Sequence, residues 1–322
     1  MSLSQMQVFN EYVMPATLET LDQMLEAFNA ASNGAIVLSP DGFTGDFLQQ
    51  SFFQNLGAAQ RRVNRYAAQA AVTPVDLTEL QNTTVKVAGG FGPVRYEPSQ
   101  MTWLQRPTVQ GIEVASKAFA EILLKDQLNT AIAALVAAIT AQAAATNDVS
   151  ATLGITQSAL NNSHAKFGDA SQSLVAQVMQ GSTWHKLVGQ GLANANNLFE
   201  AGNVRVVDIL GKTSIVTDAP ALMQTGTPNK EIILSLAAGA ALVHDSRDII
   251  SNVQTTNGQT RIETTIQVDY SFGMGLKGYT WDVANGGKSP TSAALATGTN
   301  WDKTATSIKD TAGVALIGDA AK

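Results

Sequence analysis

Apolar residues recur at helical spacing through residues 3–31, at Met6, Phe9, Val13, Leu18, Leu21, Met24, Leu25 and Phe28. This pattern predicts a helix with a bend at Pro15, ended by Asn33-Gly34. AIVL, a turn at SPDG and a helix over Asp46–Leu56 follow. From Arg61 to Tyr96 the pattern becomes alternating, with turn residues between short runs (VTPVDL, TTVKVAGGFGPVRY), and predicts an extended ribbon. Residues 108–146 form the longest helical candidate: Ile112, Phe119, Ile122, Leu123, Ile132, Leu135, Val136 and Ile139 line one face, and alanine fills much of the rest. At ~1.5 Å per residue such a helix is a rod of roughly 50 Å.

Residues 147–172 are polar and mark a domain boundary. Beyond it the pattern predicts helices at Leu174–Met179 and Gly191–Phe199, strands at NVRVVDIL, SIVTDA and EIILSLAAGAALVH, and a turn at Ala219-Pro220. DIISNVQT and TRIETTIQVDYSF flank Asn257-Gly258, the signal of a hairpin with a tight turn. After Trp281 large apolar residues are few, so this stretch is expected to decorate the surface or reach a neighbour.

Charge changes the picture. Only 14% of residues are charged, against roughly 25% in an ordinary soluble domain. Two readings follow: a neutral surface rich in Gln, Asn, Ser and Thr, or a subunit largely covered by neighbours. The net charge of −6 does not favour non-specific nucleic-acid binding. The ribbon nevertheless carries Arg61, Arg62, Arg65, Lys86 and Arg95. Five cations over that length fit an acidic protein neighbour better than nucleic acid, with a solvated hairpin as the simpler alternative. No cysteine is present, which excludes disulfides and thiolate metal sites. The first residues lack the basic start and apolar run of a secretory signal. The apolar stretch at 131–145 is shorter than the ~20 residues of a membrane span, so no membrane partner is expected.

The catalytic motifs fail on context. FGMGLKG contains G-x-G-x-x-G at Gly273, Gly275 and Gly278. A dinucleotide site needs a helix to open directly after that turn, and YTWDVANGGKSP cannot open one there. The glycines fit a continuing strand that bends or packs closely. GKT at 211–213 has Val206 and GKS at 287–289 has Asp282 where a phosphate loop needs glycine. His164, His185 and His244 have no metal-ligand spacing, and G-x-S-x-G is missing. No catalytic, cofactor or metal site is expected.

Three segments carry a resemblance. TWLQRPTVQGIEVASKAFAEILLKDQLNTAIAAL looks like the entry to and body of a spine helix. GNVRVVDILGKTSIVTDAP has a strand ending in Val216, Thr217, Asp218 and Pro220. RIETTIQVDYSFGMGLKGYTWD resembles a returning strand pair with Tyr-x-Phe-Gly and Gly-Tyr-x-Trp. In this order they resemble the major capsid protein of tailed bacteriophages, the Hong Kong 97-type fold, over roughly residues 60–282. The resemblance implies an α+β subunit with an N-terminal arm (1–35), a connection (36–60) and an extended β-hairpin loop (61–102). A peripheral domain with the spine helix (103–148), a mixed α/β axial domain (149–262), a return strand (263–282) and a C-terminal extension (283–322) complete it.

The function implied is structural. Copies would form pentamers and hexamers of an icosahedral head around double-stranded DNA, assembled in the host cytoplasm. A separate scaffold protein, a portal and a decoration protein are the implied partners, with packaged DNA in weak contact. Contacts between subunits would fall on Met6 and Phe9 of the arm and on Arg61, Arg62, Arg65, Lys86 and Arg95 of the ribbon. Some family members crosslink through Lys and Asn; no such set aligns here, so no crosslink is expected. A bacterial nanocompartment shell of the same fold and a soluble α/β enzyme or ligand-binding domain are the alternative readings.

Overall fold

A computed structural model describes residues 3–39, 45–53, 60–74, 76, 79–97, 108–194, 212–245, 248–258 and 260–322. Helix α1 (Leu3–Ala31) runs through Pro15 as one helix. Val13, Thr17, Leu21 and Leu25, spaced four apart, are its buried stripe. Asn33 (φ 52°) and Gly34 (φ 67°) end it in left-handed geometry, with the Gly34 N–H donating to the Asn29 carbonyl.

Strand β1 (Ile36–Ser39) follows, then β2 (Phe47–Phe53) and β3 (Glu79–Tyr96). β2 replaces the helix expected over Asp46–Leu56. Its apolar residues suit either period, and antiparallel pairing from Phe47↔Val85 to Phe53↔Glu79 decides for the strand. Helix α2 (Thr108–Thr140) is the long rod. Over Glu113–Thr140 it is long and apolar enough to cross a bilayer, beyond the stretch weighed from sequence, yet 56% of its most apolar window is buried inside the protein. Its last three turns are apolar on every side. Ala131, Ile132, Ala134, Leu135, Val136, Ala137, Ala138 and Ile139 are all buried, as a helix enclosed by other elements requires.

The chain continues through β4 (Thr146–Asp148), α3 (Gln157–Ala165), β5 (Leu174–Met179), α4 (Gly181–Asn194), β6 (Thr213–Val216), β7 (Met223–Gln224) and β8 (Lys230–Ala237). LVAQVM is therefore a strand where a helix was expected: a short apolar run buried between β6 and β8. The segment NVRVVDIL and part of the expected Gly191–Phe199 helix lie outside the described residues. Beyond β8 come β9 (Ala241–Asp245), β10 (Ile250–Asn257), β11 (Ile262–Leu276), β12 (Tyr279–Trp281), α5 (Val283–Gly286), α6 (Ser292–Leu295), β13 (Trp301–Lys303) and β14 (Gly313–Asp319).

Among the described residues the strands form two sheets, of eight and six strands. In the larger, β11 is central. It pairs antiparallel with β3 along one side, and with β10 and then β9 along the other. β1 joins β9 in parallel, β2 extends β3, and β12 and β13 close the far end. In the smaller sheet the path is β4-β14-β8-β5-β6, with β7 on β8.

EIILSLAAGAALVH is thus two strands in different sheets. The chain crosses over at Ala238–Ala240, where Gly239 has φ 67°. That turn is held by Gly239 N–H to the Gly34 carbonyl (2.7 Å) and Ala240 N–H to the Ala35 carbonyl (2.8 Å). Helix α2 contacts β9, β11 and β13 of one sheet and β14 of the other, and one apolar core runs through both.

Past Trp281 the chain does more than decorate the surface: residues 283–285 and 291–293 are exposed, but all seven residues of β14 are buried between β4 and β8 of the smaller sheet. Trp301 is buried edge-on against Trp281, with ring centroids 4.9 Å apart. Within the expected arm, Leu21 and Leu25 belong to the subunit's own core.

Candidate assembly surfaces

β2 and β3 pair up to Phe53↔Glu79, and between them in the chain residues 60–74 are exposed at every position. They contain Arg61, Arg62 and Arg65, and Tyr66 is 93% exposed. The local order is an Asx turn: the Asn64 side chain accepts from the Tyr66 N–H at 3.0 Å. A chain of low charge that exposes three arginines and a tyrosine here has the composition of a contact surface.

The other ribbon cations are used within the subunit. Lys86 Nζ lies 2.7 Å from Asp248 Oδ2, and Ser271 also donates to that carboxylate at 3.4 Å. The Lys86 contact holds the Asp248 carboxyl below its ordinary range. Arg95 reaches Glu263 across the β3–β11 pair at 3.3 Å. Met6 and Phe9 lie in α1, but their side chains are outside the described residues. The structure therefore groups Arg61, Arg62 and Arg65 on one exposed segment and separates them from Lys86 and Arg95.

Further surfaces were not singled out in the sequence. β10 is exposed at every position but Val253, and carries no charge along ISNVQTTN. Its pairing with β11 runs to Asn257↔Ile262, so the loop spans residues 258–261 instead of a two-residue turn at Asn257-Gly258. On the opposite side of the ribbon, Phe91 and Val268 meet Thr17 of α1 and Phe119, Ile122 and Leu123 of α2 around a shallow apolar pocket. The Phe91 and Phe119 rings lie edge-on at 5.6 Å. Helix α1 turns Glu19, Asp22 and Glu26 outward, all exposed. An acid triplet in a helix with no basic residue was the available signal for that face.

The buried polar groups are structural. Glu231, 2% exposed, accepts from Lys186 at 2.9 Å and Thr183 at 3.1 Å. His164 Nε2 lies 2.9 Å from Ser235 Oγ. Burial, and then the charge of Lys212, hold its imidazole down at about 4. Asp218, in the segment with the Val-Thr-Asp ending, accepts from the Gly181 N–H at the start of α4. Among the described residues no group of three or more His, Asp or Glu side chains could hold a metal ion. The three glycines of G-x-G-x-x-G sit on and just after β11. A Cβ at Gly275 would stand 2.6 Å from Thr84 Oγ1, and Gly278 (φ 76°) turns the chain directly into β12. No helix opens there, so the strand reading of this motif holds.

Solved structures that share this architecture include phage capsids, and the fold is of the Hong Kong 97 type. The capsid asymmetric unit of cyanophage Pam1 is 13% identical over 89% of this chain and 88% of that chain, with a TM-score of 0.54. Microbacterium phage Oxtober96 gives 13% identity, 90% of each chain and 0.53. The capsid of Ralstonia phage GP4 gives 10%, 89% and 88%, and 0.50. No curated protein sequence matches.

The chain belongs to the Gp13-like family, described as major capsid protein 13-like, which matches residues 5–315. It is a phage major capsid protein with a structural role in the virion capsid, where it assembles into oligomeric lattices.

Proposed function

We propose that this subunit tiles as pentamers and hexamers into an icosahedral head that encloses double-stranded DNA, and that it catalyses no reaction. The observation that carries this reading is the segment at residues 60–74. It is exposed throughout and offers arginine and tyrosine, as a segment that lies over an adjacent subunit would. In this reading residues 61–102 are the extended loop, 103–148 the peripheral domain around the spine helix, 149–262 the axial domain and 263–282 the return strand.

A separate scaffold protein, a portal and a decoration protein complete the assembly, which takes place in the host cytoplasm. The net charge of −6 leaves contact with packaged DNA weak. The test is expression of the chain with its scaffold partner, followed by negative-stain microscopy of the largest size-exclusion fraction. Uniform closed particles are expected. A small oligomer alone, with the scaffold present, overturns the reading.

A further inference from the structure

Charge is distributed unevenly along this chain. Residues 60–74 carry Arg61, Arg62 and Arg65 and no acid. Helix α1 carries Glu11, Glu19, Asp22 and Glu26 and no base. These are two compact regions of opposite sign. Among the described residues no salt bridge joins either to any other part of the subunit.

The acids share one face. At ~100° per residue Glu19, Asp22 and Glu26 fall within an arc of roughly 60°, opposite the buried stripe of Val13, Thr17, Leu21 and Leu25. Tyr12, 54% exposed, lies on the same side. The other long helix offers no such face. On its exposed first half Glu113, Lys117, Glu121 and Lys125 alternate in sign at four-residue spacing and neutralise one another. The dimensions agree as well. Glu19 to Glu26 spans ~10 Å of helix at ~1.5 Å per residue. Arg61 to Arg65 spans at most ~14 Å of extended chain.

We infer that the arginine segment 60–74 of one copy docks on the outer face of helix α1 of a second copy, with Arg61, Arg62 and Arg65 facing Glu19, Asp22 and Glu26. The inference rests on the reading that copies tile a shell, and it names the receiving surface. Guanidinium groups suit this role because they bind carboxylates through two parallel hydrogen bonds. Each exposed pair is weak alone, but every copy in a closed shell repeats the set. The contact also gives two uncovered charged surfaces a common partner of matching stoichiometry.

The test compares full-length variants under conditions in which the wild-type chain closes particles. Combined Arg61→Glu, Arg62→Glu and Arg65→Glu is expected to lower particle yield about tenfold or more, as is combined Glu19→Lys, Asp22→Lys and Glu26→Lys. Joining the two sets restores the charge match and is expected to return most of the yield. Wild-type yield from the arginine variant overturns the pairing and leaves the capsid role intact. Failure of the wild-type chain to form particles overturns the shell reading instead.

A second measurement covers the case in which charge reversal disturbs folding. The chain has no cysteine, so Arg65→Cys with Asp22→Cys introduces one defined pair. Oxidised assemblies of this double variant should give disulfide-linked dimers and higher species on a non-reducing gel. A monomer band alone overturns the pairing.

Discussion

Gly278 turns β11 into β12, where a dinucleotide motif would open a helix. With φ at 76°, and a Cβ that would stand 3.0 Å from the Asp310 carbonyl oxygen, Gly278→Ala should cost ~1–3 kcal/mol. Gly239→Ala has a similar φ of 67° but open space around its Cβ, so it should cost only the backbone share. Chemical denaturation of the two variants measures the difference, and equal losses would show that the Asp310 contact contributes nothing.

His164 supplies a pH dependence. Its imidazole titrates near 4 when folded and ~6.5 when unfolded. Between those values the unfolded chain binds the extra proton. This residue's contribution is therefore complete above ~6.5 and falls away as pH drops toward 4. The melting temperature should decline across that window, and less steeply in His164→Gln. An identical slope in both proteins would remove His164 from the account. The sequence disclosed that no histidine pair had metal-ligand spacing. It did not disclose which one is buried, because Ser235 lies on a strand 71 residues away.

Elements were legible where local pattern and tertiary packing agree. The long helix α2 was readable because one apolar stripe and a run of alanines persist over many turns, and the β10–β11 hairpin because two extended runs flank Asn257-Gly258. Phe47–Phe53 and Leu174–Met179 were misread as helices: short apolar runs satisfy both periods, and the deciding partners lie far along the chain. β14 was missed because its short apolar run stands alone in a Gly-, Ser-, Thr- and Ala-rich stretch, although all seven residues are buried. Its packing predicts strong sensitivity at Gly313, where a Cβ would come within 2.1 Å of the Ser235 carbonyl oxygen. Gly313→Ala should yield little soluble protein, and a normal thermal melt would contradict this. In α1, Leu21→Ala and Leu25→Ala should each cost ~2–5 kcal/mol. Deletion of residues 1–30 should likewise destabilise the subunit itself, which limited proteolysis would reveal. Recovery of a folded, protease-resistant chain from that deletion would show that α1 is dispensable for the fold.

For the whole molecule, the low charge content reads as a surface meant to be shared. The uncharged edge of β10 is a surface that a solitary protein would ordinarily blunt, and the arginine segment 60–74 is exposed throughout. Association that buries them stabilises the folded state by mass action. Subunits in closed particles should therefore unfold at a higher temperature than free subunits at the same pH and salt. Calorimetry of the two fractions decides, and coincident transitions would mean that the lattice contacts add no stability. Family membership was approachable from the order of three segments. The charge match between segment 60–74 and α1 was half legible: the acids of α1 stand in the sequence, but that they face outward shows only once the inner face is packed.

The crossover at Ala238–Ala240 and the central place of β14 have a consequence in time. During synthesis the larger sheet lacks β9 to β13 until residues 241–303 emerge, and the smaller one has a gap between β4 and β8 until residues 313–319 emerge. Neither sheet can close around a partial product, so a nascent chain has no finished surface to offer its neighbours. A particle built at high local concentration is thereby shielded from incorporating incomplete subunits. Ribosome-stalled chains that end before residue 313 should stay protease-sensitive and out of particles, whereas chains extended past residue 319 should gain protection in one step.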